Sequence, residues 1–274
     1  MASDERYVYY RLDFGKSDKP LDWTRTNATI MLDTVPGQGQ TKLPGGVLTS
    51  DAGFDFAIDL KGPDTSRIWV DSYYDLHETQ YGRMLNLIPQ APYADKKDNG
   101  VFHKLMLTLN KSLTIPDRQG AAASIPFESY ETGLLRFGNG DPDSPGFDSL
   151  TDVAVNAKDA IVELRIPWQL LNIKDPSTHE AVGDIREKGL QAISQTPGFH
   201  VAVVTYKPES EVGVGQHPGG LAMDDIVPSA SNGMLHENDM PFFQWQGWDY
   251  PQTHERLKQS YYKLKETFSS LGIR

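Results

Sequence analysis

Arg67, Trp69, Asp71 and Tyr73 alternate along one segment, at i, i+2, i+4 and i+6. On a strand all four would share a face. An indole and a phenol offer flat apolar surfaces; a guanidinium and a carboxylate offer directed hydrogen bonds. That mixture suits a ligand with C–H faces and hydroxyl edges, as sugars have. Ile68, Val70 and Ser72 take the other face. The apolar side belongs against a core, so the Arg, Trp, Asp and Tyr side is expected to be exposed, or covered only by an insertion. The structural alternative is a polar cross-strand ladder beneath residues 75–100. Trp245 and Trp248, with Asp249 and Tyr250 beside them, could form a second stacking platform, or could pin the last strand and a closing helix. Trp23 lies in the polar loop Leu21–Arg25 and could be a further aromatic arm or a packing residue. Trp168, directly after Pro167, reads as a buried anchor.

One loop could bind a metal. Asp141, Asp143, Asp148 and Asp152 stand at positions 1, 3, 8 and 12 of a segment with Gly146 at position 6. Calcium takes six to eight oxygens from such flexible acidic loops. Pro145 replaces a usual ligand and no helices flank the loop, so an EF-hand is not expected. The remaining readings are a calcium site of another kind, or a turn whose Asp side chains cap backbone amides. The seven His residues are scattered, with no His-Glu-x-x-His. Gly-x-Ser-x-Gly and P-loop motifs are missing, and the glycines of 213–220 lack dinucleotide spacing. Glycosidase chemistry needs two carboxylates across a cleft. Asp71 with Glu78, or Glu128 with Glu131, are candidate pairs, but acids are abundant enough for pairs to arise by chance.

Composition narrows the partners. The 274 residues carry a net charge of −11 and a pI of about 5.0. Phosphate binding needs clustered Lys and Arg, so nucleic acid is not expected, nor is an anionic membrane surface. With no cysteine, disulfides, thiolate metal sites and cysteine nucleophiles are excluded. No apolar run approaches the ~20 residues of a membrane span, so direct membrane insertion is not expected. The chain reaches a strand within a few residues of Met1, which reads as one domain of a larger protein.

The elements that must hold these residues are mostly strands. Tyr7–Leu12, Asn27–Thr34, Phe54–Leu60, Arg67–Tyr74, Phe102–Leu109, Ile161–Ile166, Phe199–Tyr206 and Phe242–Trp245 are predicted strands by β-propensity and alternation. Residues 75–90 could hold a helix. Segments 110–130 and 207–241 read as loops. Leu257, Tyr261, Leu264 and Phe268 have helical spacing. Strands dominate without regular alternation with helices, so the expected class is mainly β: a two-sheet antiparallel β-sandwich of the jelly-roll or immunoglobulin-like kind, with long insertions and a C-terminal helix. The expected division is a sandwich over 1–252 and a helix over 253–274 packed on it.

The succession Asp4–Phe14, Ile30–Gln40, Gly53–Leu60 and Glu163–Leu171, in that order, resembles the family 9 carbohydrate-binding modules and their DOMON-like relatives. The resemblance runs over most of residues 4–206, and the Ile-Pro-Trp turn at 166–168 is its most telling part. It implies a β-sandwich within a larger bacterial surface or secreted glycan-handling protein, which would place the chain outside the cell or at its surface. It also implies that sugars are bound by aromatics and polar residues without catalysis. The insertions at 75–130 and 207–241 and the tail from Trp245 depart from a minimal module. The alternatives are a glycan hydrolase or lyase using clustered carboxylates, and a purely structural docking domain. Calcium is the cofactor the 141–152 loop could take.

Overall fold

Alternation along two strands shows why a sandwich forms. In β1 (Tyr7–Asp13) Val8 and Tyr10 are buried; in the later strand Ile161–Pro167, Val162, Leu164 and Ile166 are buried while Glu163 is exposed. The two pair antiparallel, with Val8 opposite Ile166 and Tyr10 opposite Leu164. Their apolar sides form one continuous face, and Arg11 meets Glu163 on the wet side at 3.1 Å. Such a face must be covered, and each large side chain it buries stabilises by roughly 1.5–3 kcal/mol.

The computed structural model describes residues 1–15, 19–44, 48–88, 96–116, 122–208, 217–249 and 259–272. After β1 come β2 (Asn27–Asp33), β3 (Gln40–Lys42), β4 (Thr49–Phe54), β5 (Phe56–Leu60), β6 (Arg67–Asp71) and β7 (Phe102–Lys104). Then follow β8 (Val153–Asn156), β9 (Ile161–Pro167), β10 (Phe199–Lys207), β11 (Ala222–Val227), β12 (Met234–Leu235) and β13 (Phe242–Phe243). The outer sheet runs Ala2–Ser3, β1, β9, β8. The central sheet runs β11, β10, β2, β5, β6, β7, with β13 paired to the start of β10. Both are antiparallel, and the chain is a mainly β sandwich with a short C-terminal helix.

Between the two sheets lies the larger core, including Val8, Ile30, Leu32, Ile58, Ile68, Val70, Leu164 and Trp168. Trp168 is fully buried, and its indole N–H donates to the Asp4 carbonyl at 2.8 Å, which ties the strand exit to the N-terminus. The other face of the central sheet is covered too. Leu43, Leu48, Ala52, Phe54, Leu235 and Met240 close over Met31, Ala57, Trp69, Ala202, Val204 and Tyr206 as a second core. Its lid is the small sheet β12–β4–β3. Consequently every residue of β2, β5 and β6 is buried.

Polar residues in those strands are satisfied internally. Asp59 accepts from the Thr29 hydroxyl at 2.8 Å and from the Gly219 amide at 3.1 Å, and lies 3.2 Å from the Lys61 ammonium. An uncompensated charge at this depth would cost several kcal/mol.

Some expected elements differ. The segment expected as one strand from Phe54 to Leu60 breaks at Asp55, which sends Phe54 into the second core and leaves Phe56, Ile58 and Leu60 in the first. Asp55 accepts from the amides of Thr34 and Val35 and from the Thr34 hydroxyl, at 2.7–2.9 Å, and this fixes the break. In the stretch expected to be a loop, Leu113–Pro116 pairs with Ala122–Ile125 and Glu128–Glu131 pairs with Met106–Asn110. The helix expected at 75–90 is a short one whose residues Glu78–Met84 are π-helical. A single turn, α1 (Ile185–Lys188), precedes the terminal helix, α2 (Gln259–Ser270). The helix was expected to pack on the sandwich, but residues 260–272 are all exposed, with Tyr261, Leu264 and Phe268 at 44%, 53% and 47%. Leu257 lies outside the described residues.

Candidate functional site

Double-sided burial changes the meaning of the Arg67–Tyr73 face. Trp69 is 2% exposed and belongs to the second core. Arg67 is buried, with its Nε 2.7 Å from Glu131 and its guanidinium over the Trp69 ring. Asp71 is fully buried and accepts from Gln40 Nε2 and the Tyr73 amide, both at 2.8 Å, so that it caps the 3₁₀ turn Ser72–Tyr74. Tyr73 is buried beneath the Arg186 guanidinium. The expectation of an open face is corrected: Trp69 lies in the second core, Glu131 holds Arg67, and Arg186 and Lys97 lie over Tyr73, so the face is internal.

The other aromatics attach elsewhere. Trp23 is half-buried, edge-on to Phe137, and lies over Gly62. Trp245 is half-buried, stacks on His179 at 4.7 Å, lies 4.6 Å from Trp168 and donates to the Pro176 carbonyl at 2.7 Å. Trp248 is half-buried, and its amide donates to the Ser177 carbonyl. Trp245 and Trp248 therefore pin the tail to the turn at 175–179.

The acidic loop caps its own backbone. Asp141 accepts from the Asp143 amide, Asp148 accepts from the Leu150 amide and pairs with Arg136 at 2.8 Å, and Asp152 accepts from the Arg136 amide. Among the described residues, none of the four joins a group whose ligand atoms converge. The amide-capping alternative describes this geometry, and the spacing expected for calcium does not produce a cage.

Carboxylates and imidazoles do converge in two other places, Asp75–Glu78–His103 and Asp33–His200–Glu237, with ligand atoms within 4.8 Å of one another. These groups have the chemistry to hold a metal ion. The first is closed by its own hydrogen bonds. His103 Nδ1 lies 3.1 Å from Asp75 and 3.0 Å from Glu78, and the second Asp75 oxygen accepts from the amides of His77 and Glu78. Burial works against the imidazolium, but the bonds to the two carboxylates outweigh it and hold His103 up to about 9.

Two members of the second group, Asp33 and Glu237, line a cleft of about 250 Å³. Asp33 ends β2, the turn through Gly37 and Gly39 follows, and Gly53 of β4 backs it. Asp51, Tyr74, Lys97, Asp98 and Glu237 complete the wall. The turn and β4 touch backbone to backbone: a Cβ on Gly53 would fall 1.7 Å from the Gln38 carbonyl oxygen, and Gly39 has φ +88°. Only glycine fits there. Asp98 locks the near side by accepting from the Thr41 amide and hydroxyl at 2.8 and 2.6 Å. Asp51 accepts from the Glu237 amide at 2.5 Å and pairs with His236 at 3.0 Å, which holds the turn Glu237–Asp239 in place and keeps the Asp51 carboxyl below the ordinary range.

Asp33 is the unusual member. It is 4% exposed, and its Oδ1 has no hydrogen-bond partner among the described residues. Burial, reinforced by the charges of Asp55 and Glu237, pushes its carboxyl up to about 8. A buried acceptor without a partner is costly and is found where a site needs it. Sequence reasoning missed this cluster because nothing local marks it. Asp33 and His200 are paired across β2 and β10, and Glu237 comes from the segment expected to be a loop.

No protein-family model, no curated protein and no solved structure matches this chain.

Proposed function

We propose that this domain binds carbohydrate without cleaving it, at the cleft between the 36–39 turn, Tyr74 and Glu237. The supporting observation is the cleft's composition. The half-buried Tyr74 ring shares the lining with the carboxylates of Asp33 and Glu237, on a frame that Asp51 and Asp98 hold through their own hydrogen bonds. A ring for C–H faces and acceptors for hydroxyls is what sugar recognition requires. The volume lies below the roughly 300–1,000 Å³ of sites for drug-sized ligands, which suits a single sugar ring. The resemblance to family 9 modules points the same way, and with it to a role at the bacterial surface or in a secreted glycan-handling protein.

The acid geometry supports binding over hydrolysis. Of the pairs expected from sequence, Asp71 is buried under Gln40 and Glu131 is engaged by Arg67. A glycan array followed by calorimetry tests the reading. Tyr74→Ala should weaken the captured sugar several-fold, since an aromatic contact contributes about 1 kcal/mol, while Tyr74→Phe keeps most of the affinity. Failure to bind any glycan, or release of shortened products by the wild type, would overturn it.

A further inference from the structure

We infer that Asp33, His200 and Glu237 form a binding site for one divalent transition-metal ion of the zinc type, beside the cleft that Asp33 and Glu237 line. The inference is independent of whether sugar enters the cleft. It starts from distances. His200 Nδ1 lies 3.7 Å from Asp33 Oδ2 and 3.6 Å from Glu237 Oε1. Both exceed hydrogen-bond length. Two ligands bound at about 2.1 Å and set at a tetrahedral angle stand about 3.4 Å apart, and slightly farther at wider angles. His200 thus stands from each carboxylate at the spacing of two ligands on a common ion, and the two carboxylate atoms lie within 4.8 Å of one another. In Asp75–Glu78–His103 the same atom types sit 3.0–3.1 Å apart, as direct hydrogen-bond partners do.

The second observation is Asp33 itself. It is nine-tenths buried and more, lines the cleft, and leaves Oδ1 unpartnered among the described residues. A divalent ion would compensate both carboxylates at once. The frame is rigid. His200 faces Asp33 directly across the β2–β10 ladder, its ring packs on Phe242 at 4.5 Å, and Glu237 is fixed by Asp51 through its amide. One nitrogen and two carboxylates match zinc-type preferences better than the six to eight oxygens of calcium. Three protein ligands leave a fourth position for water or a ligand oxygen, the pattern of an open zinc site.

The test is Zn²⁺ titration of the chelator-treated full chain by calorimetry, with melting temperature followed in parallel and no glycan present. One equivalent should bind and raise the melting temperature. Asp33→Asn, His200→Ala and Glu237→Gln should each weaken that equivalent by about tenfold or more. Glu237 is half-exposed on a 3₁₀ turn, so Glu237→Gln remains informative if a buried variant fails to fold. His103→Ala should leave Zn²⁺ binding unchanged. No binding, binding indifferent to Glu237→Gln, loss of the ion in His103→Ala, or preference for Ca²⁺ over Zn²⁺ would each overturn the assignment.

Discussion

Trp69→Ala distinguishes a core ring from a binding ring. In the structure the indole is 2% exposed, packed in the second core with Met31 and Ala57 and covered by the β3–β4 layer. Removing a buried Trp side chain costs about 3–5 kcal/mol, because both transfer energy and cavity terms are lost. For a protein of this size each kcal/mol moves the melting temperature by roughly 2–4 °C. Trp69→Ala should therefore lower it by roughly 6–20 °C. A companion variant sharpens the reasoning. The indole Nε1 is buried without a hydrogen-bond partner, a condition that costs about 1–3 kcal/mol. Trp69→Phe removes that N–H together with part of the ring, so the two effects oppose, and its melting temperature should lie much closer to the wild type than that of Trp69→Ala. Thermal unfolding followed by near-ultraviolet circular dichroism reads both. A Trp69→Ala protein that melts with the wild type would refute the second core.

Gly53→Ala drives a methyl into the Gln38 carbonyl oxygen, so it should displace the 36–39 turn and abolish ligand capture at the cleft, seen as a loss of both glycan and Zn²⁺ binding. Asp59→Ala strips the partner of Lys61 and two donors; it should cost about 3–5 kcal/mol in urea unfolding, and a loss under 1 kcal/mol would contradict the buried-pair account. His103 contributes stability because its folded-state pKa is raised, so that contribution is complete below the ordinary imidazole value of about 6.5 and disappears as pH rises through about 9. Urea midpoints measured from pH 6 to pH 10 should fall across that window, less steeply in His103→Gln; an identical slope in the variant would remove His103 as the cause.

Much of the first core was legible because the strands that build it alternate. Val8, Tyr10, Val162, Leu164 and Ile166 point inward as their spacing predicts, and Ile68 and Val70 do the same. The face carrying Arg67, Trp69 and Asp71 was not legible, for a physical reason. An alternating polar and aromatic face reads the same from its own sequence whether water or a second layer covers it. The covering residues here come from 43–54 and 235–240, distant along the chain. Asp59 and Asp55 carry the same lesson: a carboxylate implies solvent only when no internal donors await it, and both have them. The cleft was hidden because Asp33, His200 and Glu237 are brought together by strand register and one pinned turn, which leave no local spacing to detect.

Burial of the central sheet on both sides has a consequence for how this sequence can vary. In β1 and β9 the buried positions alternate with half-buried or exposed ones, so a saturation-mutagenesis profile across them should appear striped, with more and less tolerant positions alternating. Across β2, β5 and β6 no outward position exists. Those strands should appear as solid blocks of intolerance at 27–33, 56–60 and 67–71. New binding specificities in this architecture must therefore arise from the turns at the rim of the central sheet, and not from repainting a strand face.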